Sequence, residues 1–226
     1  MIDWFPTPNP NVHPLPGPAE AGGLARWQAL INLRHVARST ESADRSTRGH
    51  SERVATLSVM IASEAGWYAA DRHALREAAL LHDLGRVCSA PAEAGPHEPG
   101  ALGHDDPAND PELGAQIASV ALEPRQVSWI RHHRARWDGA GSTGGLKGPH
   151  LPDGALIIGL SDAYDRMVVG AEGDELTRAD AVVECMRGYG KRFAPWVVDI
   201  VMDLADDLPT GPADERPDVL RLAPAA

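Results

Sequence analysis

The apolar segment at residues 155–164, ALIIGLSDAY, constrains the fold more than any other part of this sequence. Its apolar side chains would surround a helix on nearly every side, and such a helix must be covered by other elements on most faces. We therefore predict a helix from Pro152 to about Val169 at the centre of the domain. One carboxylate, Asp162, lies within the apolar segment at 155–164.

Asp162 has two interpretations. A lone buried carboxylate prefers to be protonated unless a positive group stabilises its charge. A metal ion is one such group, and Arg166, four residues later on the same helix, is another. Taken alone, the intrahelical ion pair is the commoner arrangement. Further ligand candidates elsewhere in the chain favour the metal.

The adjacent pair His82 and Asp83 is the strongest of these candidates. The pair directly follows the apolar run at residues 78–81. A neutral imidazole and a carboxylate buried side by side are costly unless something compensates both of them. A divalent metal ion does so. The pair therefore favours the metal interpretation of Asp162.

Three more histidines are candidate ligands: His50, His132 and His133. Neighbouring residues on a helix project about 100° apart, so His132 and His133 can both serve a cleft from one edge. The alternative for this pair is a solvated basic patch at residues 131–136. For His50, at the predicted start of a helix, the alternative is a purely structural role.

Helical periodicity continues through most of the chain, and no segment shows sustained strand alternation. We predict an all-α fold: a single helical bundle at residues 21–208, with a metal site in its core. Residues 1–20 contain six prolines and are predicted to be an extended tail, and residues 209–226 form a second tail. Residues 89–110 are predicted to be irregular. Besides the central helix, helices are predicted near residues 24–36, 49–65, 71–82, 111–122, 124–134, 177–187 and 195–208.

Composition limits the classes of partner and compartment. The formal net charge of -11 argues against general binding to nucleic acid or to anionic membranes. The two cysteines, Cys88 and Cys185, lack the spacing of a disulfide framework, which favours a reducing compartment. Neither an apolar stretch of about 18 residues nor a secretory leader is recognisable. We therefore expect a cytoplasmic protein.

Five blocks of the sequence, in their order and spacing, resemble the HD-domain metal-dependent phosphohydrolases. The blocks are GHSERVA at 49–55, REAALLHDLGR at 76–86, DPELGAQIA at 110–118, HHRARWDGAGSTGGLKG at 132–148 and LPDGALIIGLSDAYDRM at 151–167. More narrowly, the chain resembles the HD-GYP branch, which hydrolyses cyclic di-GMP. The resemblance covers roughly residues 45–205.

The resemblance implies a ligand set and a cofactor. Two divalent transition metal ions are implied, iron or manganese first, with zinc, nickel and cobalt as alternatives. Asp83 would bridge the two ions and, with Arg86, form the catalytic pair. Arg86, Arg134 and Lys147 would bind the substrate, although Lys147 is equally well explained as a solvated surface lysine. The implied metal ligands are His50, His82, Asp83, Asp110, His132, His133 and Asp162.

The chain departs from the family pattern mainly where the family recognises its ligand. Residues 141–143 read GST in place of GYP, and Asp110 replaces a ligating histidine. Arg86 stands where a lysine is expected, and Arg134 replaces an acidic residue. The phosphate-binding Arg-Pro-Tyr-Arg segment has no counterpart at residues 168–174. These departures predict weak or absent hydrolysis of cyclic di-GMP, with stronger activity on a smaller or differently charged phosphoester.

Three functions therefore stand as hypotheses. The first is a metal-dependent phosphohydrolase or phosphodiesterase that acts on a nucleotide. The second is a degenerate signalling module that binds a nucleotide or a protein without turnover. The third is a di-iron oxygenase of the same superfamily, for which the sequence offers no feature of its own. A small-molecule phosphoester is the expected partner, and a homodimer is left open.

Overall fold

The computed structural model describes residues 21–42, 47–88, 111–140, 146–170 and 175–210. Within those ranges the chain forms eight α-helices and two short 3-10 helices, and it contains no β-strand. The all-α prediction is confirmed. The predicted tail at 1–20, the irregular segment at 89–110 and most of the predicted tail at 209–226 lie outside the described residues.

The eight α-helices of the described ranges follow one another along the chain. The first four are α1 (Ala21–Ser42), α2 (His50–Glu64), α3 (Ala69–Leu80) and α4 (Pro111–Ala118). The last four are α5 (Pro124–His132), α6 (Asp153–Val169), α7 (Arg178–Arg187) and α8 (Pro195–Asp203). The 3-10 helices are Leu84–Cys88 and Gly148–His150. Of the helices in these ranges, none is both long enough and apolar enough to cross a membrane.

Helix α6 lies at the centre, as its sequence predicts. Every residue from Gly154 to Asp165 is buried, and α2, α5, α7 and α8 all pack against α6. Helix α3 in turn packs against α2 and α5. Burying each large apolar side chain of this core stabilises the fold by about 1.5–3 kcal/mol. The same packing surrounds the polar residues of α6 with protein.

The start of α3 differs from the prediction. The helix predicted at residues 71–82 would have Asp71 as its N-cap, but α3 begins two residues earlier, at Ala69. Tyr68 is the residue before it, in an extended conformation, and its carbonyl accepts hydrogen bonds from the backbone N–H groups of Asp71 and Arg72. The Asp71 carboxylate instead pairs with Arg125 of α5 at 2.6 Å. A tertiary ion pair therefore replaces the expected cap.

Several helices also end earlier than predicted. Helix α3 was expected to reach His82 but stops at Leu80. The backbone then tightens, with the N–H of Leu81 bonded to the carbonyl of Ala78, three residues back. The turn at residues 81–83 and the 3-10 helix after it carry the chain away. Helices α4, α5 and α8 likewise end at Ala118, His132 and Asp203, short of the predicted Leu122, Arg134 and Leu208.

Candidate metal centre

Three histidines from three separate elements meet beside α6. His50 is the first residue of α2, His82 lies in the turn after α3, and His133 follows the last residue of α5. All three are buried. The ring centroids of His50 and His82 are 5.2 Å apart, and those of His82 and His133 are also 5.2 Å apart. Residues distant in sequence thus form one cluster.

In each of these rings Nδ1 contacts a backbone carbonyl or a carboxylate, and Nε2 faces the cluster. The Nδ1–H groups of His82 and His133 donate to the carbonyl oxygens of Ala79 at 2.7 Å and Ile130 at 2.6 Å. A carbonyl can only accept, so in each ring Nε2 carries the lone pair. All three Nε2 atoms are buried: that of His50 lies against a carboxylate, and those of His82 and His133 have no hydrogen-bond partner among the described residues. Buried nitrogens in this state are typical of metal ligands, whose second ring nitrogen is held by the protein.

Two carboxylates complete the cluster. Asp162 Oδ1 lies 3.0 Å from His50 Nε2 and 3.6 Å from His82 Nε2. Asp83 Oδ1 lies 3.4 Å from His82 Nε2, and its Oδ2 lies 3.8 Å from His50 Nε2. Two groups have ligand atoms that all lie within 4.8 Å of one another: His50, His82 and Asp162, and His82, Asp83 and His133. Imidazole and carboxylate donors together suit divalent transition metals, so these residues fit the ion that the sequence implies.

The carboxylates stay ionised despite their burial. Burial would raise the pKa of Asp162, but Arg166 and the neighbouring His50 and His82 hold that pKa well below its usual range. Burial would also raise the pKa of Asp83, but interactions with the neighbouring His82 and Arg166 outweigh burial and lower that pKa. Both groups therefore offer negatively charged oxygens at neutral pH.

The pKa values of His50 and His133 are shifted in opposite directions. Burial alone would lower the pKa of His50, but its contacts with the Asp162 and Asp165 carboxylates raise that pKa to about 9. Burial and the neighbouring His82 ring lower the pKa of His133 to about 4. At pH 7 and without a metal ion, His50 is therefore protonated and His133 is neutral.

A second carboxylate on α6, Asp165, holds His50 in place. The Nδ1 atom of His50 lies 2.7 Å from Asp165 Oδ2. Arg53, one turn along α2, donates to both oxygens of Asp165, from Nε at 2.7 Å and from Nη2 at 3.0 Å. The sequence alone does not assign Asp165 or Arg53 to the site. The spacing of Asp165, three residues after Asp162 on the same buried helix, is the pattern that could have indicated it.

Two glycines allow close backbone contacts around the cluster. A Cβ atom on Gly159 of α6 would lie 2.2 Å from the carbonyl oxygen of His133. A Cβ atom on Gly114 of α4 would lie 3.0 Å from the backbone nitrogen of Gly85. The first contact brings the end of α5 onto α6 and places His133 near Asp162. The second packs α4 against the chain that follows Asp83.

Of the predicted ligands in the described ranges, His132 is not among the residues that meet here. His132 belongs to neither group of metal-ligating atoms found in the described ranges. Its side chain is half-buried, and its Nδ1–H donates to the carbonyl of Ser128 at 2.8 Å. Asp110 lies outside the described residues. The ligand roles of both remain predictions.

The three predicted substrate-binding residues occupy different places. Arg86 lies beside the cluster, with Nη1 3.4 Å from Asp83 Oδ2. Arg134 lines a small cleft between α6, the chain that follows α5 and residues 192–194. Lys147 is exposed, and its side chain lies against Gly139. The structure places Arg86 closest to the candidate ligands. The segment that replaces GYP, at 141–143, lies outside the described residues.

The ion pair offered as the second interpretation of Asp162 is also present. Arg166 Nε lies 2.8 Å from Asp162 Oδ1. The same guanidinium reaches further than the sequence suggested, because its Nη2 lies 3.0 Å from Asp83 Oδ2. Asp162 therefore takes part in both arrangements, the histidine cluster and the ion pair.

Comparisons with known proteins agree with this geometry. The HD domain family matches residues 47–167. The cyclic di-GMP phosphodiesterase response regulator RpfG of Xanthomonas campestris is 26% identical over 75% of this chain and 46% of its own length. A cyclic di-GMP phosphodiesterase of Thermotoga maritima is 30% identical over 75% of this chain and 47% of its own length. The chain thus spans about half the length of these relatives.

The solved structures give the same fold. The HDG"Y"P protein Bd1817 of Bdellovibrio bacteriovorus superposes with a TM-score of 0.58 and 20% identity. The match covers 82% of this chain and 63% of that protein. The resemblance to HD domains, and to their HD-GYP-like branch, is confirmed. With a family match over more than half of its length, the chain belongs to the HD domain family.

Proposed function

We propose that this chain is a metal-dependent phosphodiesterase that acts on a nucleotide. The observation that carries the proposal is the convergence of three buried imidazole Nε2 atoms on two ionised carboxylates, with those of His82 and His133 lacking a hydrogen-bond partner among the described residues. Burying such lone pairs beside one another is costly unless a cation meets them. The names of the similar proteins, cyclic di-GMP phosphodiesterases, support the reaction class.

The residues of the cluster and the neighbouring Arg86 have separate proposed roles. His50, His82, His133, Asp83 and Asp162 would hold the metal, with iron or manganese proposed first. When bound, divalent ions supply a Lewis acid and an activated water for phosphoester hydrolysis. Arg86, whose side chain is about a quarter exposed beside Asp83, would meet the phosphoryl group and stabilise the charge that develops there.

A second ion would need more ligands than the described cluster provides. The two groups share His82, and one imidazole nitrogen serves one ion. We propose that Asp110 and His132 supply the additional ligands, as the family resemblance implies. Asp83 is proposed as the bridge, because one of its oxygens faces His82 and the other faces His50.

The substrate class follows from the relatives and from the departures of this chain. Cyclic di-GMP is the first substrate to test. Each charge-assisted phosphate contact is worth about 1.5–3 kcal/mol, and the family segment that provides such contacts has no counterpart at residues 168–174. We therefore expect weak turnover of cyclic di-GMP, with smaller or differently charged phosphoesters as stronger substrates.

One observation favours a second candidate, a module that binds a nucleotide without turnover. Arg166 already pairs with both carboxylates of the cluster. A guanidinium in that position satisfies the carboxylates without any metal ion. In this case the domain would keep the fold and the nucleotide-binding surface of its family and lack hydrolysis.

We also propose a cellular compartment and a partner for the protein. The two cysteines lack framework spacing, and Cys185 is a buried free thiol, which supports a reducing compartment such as the cytoplasm. The partner proposed is a small nucleotide. A homodimer is an open alternative that sedimentation of the purified protein would test.

The test is an assay of the full chain, purified anaerobically and loaded with Mn²⁺ or Fe²⁺. The substrates are cyclic di-GMP, cyclic GMP-AMP, a linear dinucleotide and a simple aryl phosphodiester. We expect hydrolysis of at least one substrate, lost on chelation and in Asp83→Asn and retained in the exposed control Asp203→Asn. Nucleotide binding without hydrolysis in the metal-loaded protein would support the second candidate instead. Hydrolysis that survives both chelation and Asp83→Asn would contradict the metal-dependent mechanism.

A further inference from the structure

Arg166 lies between the two carboxylates of the cluster. Its Nε atom is 2.8 Å from Asp162 Oδ1, and its Nη2 atom is 3.0 Å from Asp83 Oδ2. A simple pair within one helix would explain the first contact only, because Asp83 lies in the turn after α3. Only about a quarter of the side chain is exposed, so the guanidinium is a cation of the cluster itself.

One of the two oxygen atoms that Arg166 contacts also faces the histidines of the cluster. Asp162 Oδ1 is also the oxygen nearest to His50 and His82, at 3.0 and 3.6 Å from their Nε2 atoms. A metal ion held by His50 and Asp162 through this oxygen must therefore displace Arg166 from it. The cost of displacement is the loss of two charge-assisted hydrogen bonds.

The other group of ligands is arranged differently. Asp83 turns Oδ1 toward His82, at 3.4 Å from Nε2, and turns Oδ2 toward Arg166. An ion held by His82, Asp83 Oδ1 and His133 leaves the contacts of Arg166 intact. The two groups therefore differ in whether Arg166 must move.

We propose that Arg166 competes with the metal for the two carboxylates. It pairs with Asp162 and Asp83 in the metal-free protein, so the ion beside His50 binds more weakly than the ion at His82, Asp83 and His133. This inference rests on the metal centre in the proposed function, and it adds the residue that sets the order and number of ions bound. The first ion binds with His82, Asp83 and His133. An ion that uses Asp162 binds only after the guanidinium leaves.

The test is Arg166→Met, which keeps a long side chain and removes the cation. The full chain and the variant are titrated with Mn²⁺, with binding measured by calorimetry and metal content measured after equilibrium dialysis. We expect the wild type to bind one ion firmly and a second weakly. In the variant the affinity for the second ion should rise by about tenfold or more, since two charge-assisted contacts no longer compete.

A matched control and a second variant accompany this test. Arg187→Met removes an arginine from another ion pair within a helix, with Glu184 on the surface of α7, and should leave both affinities unchanged. Arg166→Gln keeps hydrogen-bonding capacity without the charge. It should also raise the affinity for the second ion, and it keeps the test decisive if the methionine variant fails to fold.

The outcomes separate the inference from the proposed function. Unchanged binding of both ions in the folded Arg166 variants, with metal present in the wild type, overturns the inference alone. Weaker metal binding in the variants also overturns it, because Arg166 would then be a support for the carboxylates. A folded wild type and folded variants that all bind no Mn²⁺ would overturn both the inference and the metal centre.

Discussion

In each histidine of the cluster, one ring nitrogen contacts the surrounding protein and the other faces the candidate metal centre. For His82 and His133 the fold contributes a backbone carbonyl three residues back. For His50 it contributes a carboxylate from another helix, Asp165, which Arg53 holds in turn. Local carbonyl contacts follow from the turn that each residue occupies. The contact of His50 depends on packing between α2 and α6, and sequence spacing alone does not reveal it.

Substitutions of Asp83 and His133 should differ in their effect on metal content. Asp83→Ala removes the carboxylate whose two oxygens face His82 and His50, so we expect loss of all bound metal. His133→Ala removes one donor from one group of ligands and should weaken one ion only. Elemental analysis of both variants, with folding checked by circular dichroism, measures this difference. Equal metal loss in the two variants, with activity retained, would contradict the bridging role of Asp83.

Metal binding should release protons at neutral pH. The pKa of His50 is raised to about 9, so this ring is protonated at pH 7 and must lose a proton to become a ligand. The carboxylates have lowered pKa values and His133 has a pKa of about 4, so these groups are already deprotonated. We expect release of about one proton per ion that uses His50. Its apparent affinity should rise with pH and level off above about pH 9.

Calorimetry in buffers of different ionisation enthalpy counts these protons. The control is Asp165→Asn, which removes one of the carboxylates that raise the pKa of His50 and should reduce the release at pH 7. It should also weaken metal binding about 10–100-fold, as is usual when the partner of a ligating histidine is lost. A release that is the same in both proteins would show that Asp165 does not set the protonation of His50.

At the scale of elements, the centre depends on how closely α5 approaches α6. The periodicity of α6 and its burial on most faces could be read from the sequence, because apolar residues fill nearly all of its positions. The ends of α3 and α5 could not, because they follow from tertiary contacts. Helix α5 ends where the carbonyl of His133 meets Gly159, and this contact is between residues far apart in the chain.

The variant Gly159→Ala tests the contact between these two helices. A Cβ atom there would lie 2.2 Å from the carbonyl oxygen of His133, so the helices must separate. We expect a loss of about 1–3 kcal/mol in the free energy of unfolding, typical of overpacking a core, together with weaker metal binding. Denaturant titration and metal analysis measure the two effects.

The matched control is Gly23→Ala on α1, where an added Cβ meets no atom within 4 Å. An exposed glycine inside a helix costs about 1 kcal/mol relative to alanine, so this variant should be slightly more stable, with unchanged metal content. If Gly159→Ala is as stable and as well loaded as Gly23→Ala, the close approach of α5 has no role in forming the centre.

At the scale of the whole molecule, the helical bundle and its family could be predicted because both depend on patterns spread over many residues. The ligands His50, His82, Asp83, His133 and Asp162 could be proposed for the same reason, and the structure brings all five together. The function of Arg166 could not be read in this way. The sequence shows its spacing from Asp162, but the contact with Asp83 appears only when α6 packs beside the turn after α3.

Removing the metal should lower the thermal stability of the whole domain. An ion that binds the folded state and not the unfolded state stabilises it by about 2.7 kcal/mol at a hundred times its dissociation constant. Chelation should therefore lower Tm by several degrees, and adding Mn²⁺ back should restore it. Calorimetric scans with and without chelator measure the shift. An unchanged Tm in protein shown to lose its metal would mean that the ligands do not tie the helices together.

The wide separation of the ligands in the chain has a consequence for biogenesis. The ligands begin at residue 50 and end at residue 162, so a ribosome has made more than two thirds of this chain before the last one exists. The complete ligand set therefore exists only after Asp162 has been made, and a metal centre built from it would form late in synthesis. Arg166, made just after Asp162, pairs with both acids. We expect the ion proposed for this site to be taken up only after α6 has packed against α2 and α5.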